Sequence, residues 1–236
     1  MVWRRGIARF TRPRVRLRWV MTISYLTILG SVRESTPPRP ARLGYRVAKA
    51  LHDRAAIRGT AELIDPLEWP LEQPFKPHFA FAAGSAPAPL EALAQKIRDA
   101  DAYIMVSPEY NHSMSPALAN LLNHFGASLY AWKPSLIATY SAGQWGGTRA
   151  AVGMRPFLSE LGCLPVSAMI HVPKAQEVFD QDGVYVAGAD GPAWDGYLDR
   201  GLDQLAWWAE AAAARRASGI PTGPFRKDPS ERNAPG

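Results

Sequence analysis

The chain has 236 residues, 47% hydrophobic and 20% charged, enough to bury a core as one domain of roughly 200–250 residues. This composition excludes disorder, collagen and coiled coil. The single cysteine, Cys163, excludes an intramolecular disulfide and a Cys-rich metal site, which points to a reducing, cytoplasmic setting and to packing as the source of stability. The formal charge of +6 is concentrated at the front: residues 1–20 hold seven arginines and no acid, leaving 20 basic against 21 acidic groups on the rest. The body is therefore nearly neutral and offers no basic face to nucleic acid.

Residues 1–20 admit three readings: an Arg-rich targeting segment, a basic arm for an anionic partner, or translated upstream sequence with Met21 as the true start. The excess of Arg over Lys, 21 to 6, favours the last. This extension and the Pro-, Gly- and charge-rich tail 218–236 are expected to lie outside the folded domain, 21–217. The longest mostly apolar run, Val20 to Val32, is shorter than the roughly 18–20 residues of a membrane span.

Thr22 to Leu29 is β-branched and aromatic and reads as a buried strand closed by Gly30. A loop with Pro37, Pro38 and Pro40 follows, then apolar residues at helical spacing from Leu43 to Ile57, stopped by Gly59. Ala61 to Ile64 is a short strand, and 67–89 a long Pro-rich loop. Helix is expected over 90–100, 115–129, 147–161 and 195–214, and strand over 102–106, 135–140 and 166–172. This alternation predicts an α/β fold, a three-layer sandwich with a five-stranded parallel sheet. Ligands of such sheets bind beyond the carboxyl ends of the strands, where the strand order reverses.

The loops after Leu29, Val106 and Tyr140 are thus the places to look. The first, Gly30-Ser31-Val32-Arg33, offers a tight turn, a hydroxyl and a forked cation ahead of a helix, a set suited to a monophosphate. It is neither GxxxxGK[ST] nor GxGxxG. The second, Ser107 to Pro116, carries an aromatic ring, an amide and hydroxyls on a Pro-stiffened backbone, and Ser115-Pro116 reads as N-cap and first helical residue. His112 has no partner spacing for a metal. The third, Ser141-Ala142-Gly143-Gln144-Trp145-Gly146-Gly147, places three glycines before a helix, which implies close approach of backbone to a ligand unless the loop is only a flexible connection. No nucleophile elbow or catalytic triad is present.

Taken together, Gly-Ser-Val-Arg at 30–33, Pro-Glu-Tyr-Asn at 108–111 and Ser-Ala-Gly-Gln-Trp-Gly-Gly at 141–147, followed by Thr-Arg-Ala and Arg155-Pro156, resemble the NADPH-dependent FMN reductase family of flavodoxin-like proteins. The resemblance covers about residues 22–175. It implies a flavodoxin-like FMN-binding domain with Ser31 and Arg33 on the phosphate and with Pro108, Glu109, Tyr110, Asn111, Ser141, Ala142, Gly143, Gly146 and Gly147 around the ring. The first loop here is longer than in many members, so either Arg39 or Arg42 is a candidate to complete the phosphate shell.

The implied activity is transfer of two electrons from NAD(P)H through bound FMN to a quinone, free flavin or similar small-molecule acceptor, by a ping-pong scheme. No acid–base residue and no metal are required, since the cofactor carries the chemistry. The family also implies a homodimer or homotetramer, with helix 115–129 and Trp207-Trp208 as possible interface. The alternative is a flavodoxin-type electron carrier that does not oxidise NAD(P)H; the missing Thr-rich phosphate loop and the non-acidic body disfavour it.

Overall fold

The computed structural model describes residues 21–34, 41–71 and 75–220. Arg39, the extension 1–20 and the tail from residue 221 lie outside these. Five parallel strands, β1 (Ser24–Leu29), β2 (Thr60–Ile64), β3 (Ala102–Tyr110), β5 (Pro134–Tyr140) and β6 (Leu164–Val172), form a sheet in the order β2-β1-β3-β5-β6. A two-residue strand, β4 (Ser113–Met114), pairs antiparallel with the end of β3. The helices are α1 (Leu43–Ala56), α2 (Ala88–Asp99), α3 (Pro116–Asn123), α4 (Thr148–Glu160) and α5 (Gly191–Ala217).

Alternate strand residues face opposite layers. Tyr25, Leu29, Ile104, Val106, Leu136, Ala138 and Ile170 pack with residues of α1 and α5. Leu26, Ile28, Tyr103, Met105 and Ile137 pack with residues of α2, α3 and α4. The central strands are apolar on both sides because both sides are covered, as parallel sheets require. The sheet order reverses between β1 and β3, which opens a crevice at their carboxyl ends.

Three elements differ from the sequence expectation. Strand β3 continues past Val106 to Tyr110 because residues 109–110 pair with 113–114 in a hairpin. Its two turn residues, Asn111 and His112, have φ of 49° and 63°, the left-handed pair that a tight two-residue hairpin needs. Helix α3 stops at Asn123, and Gly126, extended at φ −71° and ψ 153°, separates it from a short 3₁₀ turn at Ala127–Leu129. Helix α5 starts at Gly191, ahead of the apolar pattern, because the Asp190 side chain accepts the Ala193 amide and Pro192 sits in the first turn.

The Pro-rich stretch is tied down in its described part from Phe75 onward. The His78 amide donates to the His124 carbonyl at 2.7 Å, the His78 ring meets Glu91 at 3.0 Å, and Phe75 packs edge-on against His124. No described helix is long and apolar enough to cross a membrane.

Candidate functional site

The loops after β1, β3 and β5 meet at the crevice. Gly30 is fixed by packing: its amide donates to the Val106 carbonyl at 2.7 Å, and a Cβ there would sit 2.6 Å from Leu118 Cβ. Ser115 ties two loops together. Its hydroxyl donates to the Gly30 carbonyl and accepts the Leu118 amide at 3.0 Å, while its own amide donates to Ser107 Oγ at 3.0 Å. This buried knot holds Ser31 and Arg33 at the lip of the sheet. Ser31 is 8% exposed and its Oγ accepts the Arg33 amide at 3.2 Å. The Arg33 side chain is exposed and forms no ion pair among the described residues.

Arg42, the other described phosphate candidate, is engaged elsewhere. It sits at the N-cap of α1 with φ 43°, and its guanidinium pairs with the buried Asp65 carboxylate at 2.7 Å and 2.8 Å. The pair joins the start of α1 to the end of β2. Asp65 lies 23 residues away in sequence, so no local pattern announced it.

In the second loop, Glu109 acts as a clamp. Its carboxylate pairs with Arg149 Nε at 2.6 Å and accepts the Arg149 amide at 3.2 Å, which caps the N-terminus of α4 where Gly147 supplies no side chain. Tyr110 and Asn111 are exposed beside it.

The third loop is folded onto the segment after β6. Ser141 Oγ donates to the Gly143 carbonyl at 2.6 Å and accepts the Gly146 amide at 2.9 Å. Lys174 N donates to the Gly143 carbonyl at 2.9 Å, and Gln176 to the Ala142 carbonyl at 3.0 Å. The glycines divide into two kinds. Gly146 and Gly147 have φ of 61° and 77°, and a Cβ on Gly147 would lie 2.8 Å from Thr139 Cβ, so the chain's own backbone demands them. Gly143 needs no such φ and has open space around its Cβ position. Of the three, it alone leaves room for a ligand. Trp145 is 61% exposed, with the Arg149 guanidinium 5.8 Å from its ring centre.

Two adjoining cavities result. One of about 260 Å³ is lined by Ser31, Arg33, Gly44, Glu109, Tyr140 and Ala142 among others, and also by Pro108 and Ser141. The second, about 350 Å³, shares Ser31, Arg33 and Tyr110 and extends to Asn111 and Pro116. Every described candidate from the first two loops except Arg42 lines one of these cavities. Ser141 and Ala142 represent the third loop; Gly143, Gly146 and Gly147 do not line either.

Three residues went unnoticed in the sequence. Tyr140, 5% exposed, lines the first cavity, and burial pushes its phenol up to about 12 against the opposing influence of the nearby Ser31 hydroxyl. Its position as the last residue of a strand before a Gly-rich loop was the available signal. Gly44, in the first turn of α1, faces it. His171 lies under the third loop with Nδ1 2.8 Å from Thr139 Oγ1, and burial lowers its pKa. Among the described residues no cluster of three or more His, Cys, Asp or Glu side chains could hold a metal.

Curated relatives share parts of this region. A quinone reductase of Escherichia coli K12 is 43% identical over 75 residues, 30% of this chain and 40% of that protein. An NAD(P)H-dependent FMN reductase of Pseudomonas aeruginosa is 34% identical over 107 residues, 44% of this chain and 57% of that protein. The chain thus spans about half the length of these two relatives. A quinone reductase of Pseudomonas putida is 25% identical over 166 residues, 68% of this chain and 83% of that protein. Among solved structures, the flavoenzyme NAD(P)H:acceptor oxidoreductase FerB of Paracoccus denitrificans superposes with a TM-score of 0.64 at 20% identity, covering 81% of this chain and 99% of FerB, a likeness of fold. The model of the NADPH-dependent FMN reductase family matches residues 23–177, which contain the whole parallel sheet and all three strand-end loops, and the chain belongs to that family.

Proposed function

We propose that the protein is an FMN-dependent NAD(P)H oxidoreductase that delivers two electrons to a quinone, free flavin or similar small acceptor. The observation that carries this is the convergence of three strand-end loops on one crevice whose lip carries a cation, Arg33, left without an ion pair among the described residues. Arg33, exposed and without an ion pair among the described residues, stands beside Ser31, a donor set suited to a phosphate. The space at Gly143, the exposed Tyr110 and the cavity volumes, near the lower end of the roughly 300–1,000 Å³ usual for cofactor sites, suit a flat heterocycle. Family membership of residues 23–177 supports the same reading.

On this reading Ser31, Arg33 and the amides around them hold the phosphate. Pro108, Tyr110 and Asn111 form one wall of the ring site, and the backbone of Ser141, Ala142 and Gly143 the other. Glu109 and Arg149 fix the two walls relative to each other, and Gly146 and Gly147 give the third loop its shape. When bound, FMN would supply the two-electron redox chemistry between NAD(P)H and the acceptor. The chain binds and orients, and no side chain has to move a proton.

On this reading the ring lies in one cleft between the second and third loops, so donor and acceptor take turns at one face. Rate plots against NAD(P)H at several quinone concentrations are then parallel; intersecting lines would contradict a shared face, and absence of pyridine-nucleotide oxidation with FMN present would contradict the enzyme reading. The expected assembly is a homodimer or homotetramer. The apolar side chains of α3, Leu118, Leu121 and Leu122, are buried in the chain's own core, which leaves Trp207, exposed on α5 and edge-on to Trp208, as the surface supporting it. Light scattering tests this. The buried lone thiol is in keeping with a cytoplasmic site of action.

A further inference from the structure

Tyr140, Gly44 and Ser31 form an arrangement that a generic anion loop does not need. Tyr140 ends β5 on the sheet face covered by α1. Its ring reaches the first turn of α1, where a Cβ on residue 44 would lie 2.3 Å from the tyrosine hydroxyl and 2.9 Å from Cζ. Any residue other than glycine there displaces the phenol. Glycine is a poor helix former, so the sequence accepts a weak residue in the first turn of α1 in order to seat this hydroxyl.

The Arg33 amide donates to Ser31 Oγ at 3.2 Å, and Ser31, Arg33, Gly44 and Tyr140 line one cavity. The Tyr140 hydroxyl lies in a cavity wall shared with Ser31 and Arg33, and among the described residues no carbonyl or carboxylate accepts its proton. A phenol only 5% exposed whose proton meets no carbonyl or carboxylate still has a donor to place, and burial makes an unplaced donor costly.

We infer that Tyr140 is a phosphate-binding residue, its hydroxyl donating to the FMN phosphate beside Ser31 and Arg33; this rests on the flavin reading above. Burial raises the phenol to about 12, so it remains a proton donor at neutral pH. The arrangement makes Tyr140 a specificity determinant: it recognises the phosphorylated flavin and is indifferent to riboflavin, which presents no anion.

The test is a pair of dissociation constants, for FMN and for riboflavin, measured by quenching of flavin fluorescence on wild type, Tyr140→Phe and Gly44→Ala. Loss of a hydrogen bond to a charged group should weaken FMN roughly 10-fold or more in Tyr140→Phe while riboflavin stays within about twofold. Gly44→Ala, which pushes the phenol aside without removing it, should show the same FMN-selective loss. Thermal melts of both variants confirm that they fold. An unchanged FMN constant, or equal losses for the two flavins, overturns the assignment while leaving the flavin site standing. A wild type that binds neither flavin overturns the flavin reading itself, and this assignment with it.

Discussion

The two ends of β5 use similar residues in opposite ways. At its start, Lys133 is 7% exposed, and its ammonium donates to the carbonyls of Ile97, Arg98 and Leu129 at 2.7–3.1 Å and to Tyr103 Oη at 3.1 Å. Burial lowers its pKa to about 8, and the neighbouring Cys163 thiol is pushed up to about 12. At its other end, Arg33 faces Ser31 and Tyr140 with no carboxylate in reach among the described residues. A cation and a tyrosine occur at both ends; at the first the cation's donors are consumed by backbone, and at the second the donors remain available. The chemistry of a site is therefore read from what its polar groups have left over, since buried donors are paired wherever the fold can pair them.

Removing one cation from each end should separate the two roles. Arg33→Ala should weaken FMN binding about 10- to 150-fold, the equivalent of roughly 1.5–3 kcal/mol, with little change in melting temperature. Lys133→Met should do the reverse. Leaving carbonyls at the end of α2 without a donor costs about 1–3 kcal/mol, a fall of roughly 2–12 °C in melting temperature for a chain of this size, with the FMN constant unchanged. A lysine variant that lost flavin, or an arginine variant that unfolded, would break the comparison.

The start of β5 also carries two groups that titrate in the alkaline range with opposite effects on stability. Cys163 is about 12 when folded against 9 for an ordinary thiol, so the unfolded chain releases that proton first. Its contribution is complete below about pH 9 and is lost as pH rises from there towards 12. Lys133 runs the other way: with a folded value of about 8 against 10.5, its penalty is relieved as pH rises through that window. Melting temperatures measured at pH 8, 9 and 10 should therefore fall more steeply above about pH 9 in Lys133→Met than in wild type. Parallel curves would contradict the opposition. Native Cys163 should also resist alkylation and react only after denaturation.

The glycines sharpen the comparison at the cleft end. Gly147→Ala forces a left-handed residue against Thr139 and should cost about 1–2 kcal/mol in stability. Gly143→Leu meets open space, should leave stability within about 0.5 kcal/mol, and should depress flavin occupancy. The smallest effect is expected of Glu109→Gln. Its pairing with a half-exposed Arg149 is worth about 0.2–1 kcal/mol, and the amide oxygen still accepts from the Arg149 backbone.

Much of this was legible because the relevant signals are local. Apolar strands 102–106 and 135–140, the Ser115-Pro116 helix start and the loop motifs at 30–33, 108–111 and 141–147 are each readable within ten residues, and the alternation of elements orders the strands. The remainder depends on partners distant in sequence. Arg42 reads as a free cation until Asp65 is brought to it, Glu109 reads as a ring neighbour until Arg149 arrives, and Gly146 and Gly147 read as ligand contacts until the backbone angles are known. The hairpin at 109–114 was missed because Pro108 suggested a loop, although Asn111 in a two-residue turn was a signal for it. Tyr140 escaped because an aromatic residue at the end of a strand looks like core, and only Gly44 across the layer gives it another role.

The central claim, that the donors left over at the carboxyl ends of β1 and β5 form an FMN phosphate site, is tested most directly by mixing the protein with excess FMN, removing free flavin on a desalting column and recording the absorbance spectrum before and after anaerobic addition of NADPH. The account predicts flavin absorbance eluting with the protein at about one FMN per chain, as expected for a single site of this kind, and bleached by NADPH. Protein that elutes colourless, or a bound flavin that NADPH leaves oxidised, would contradict it.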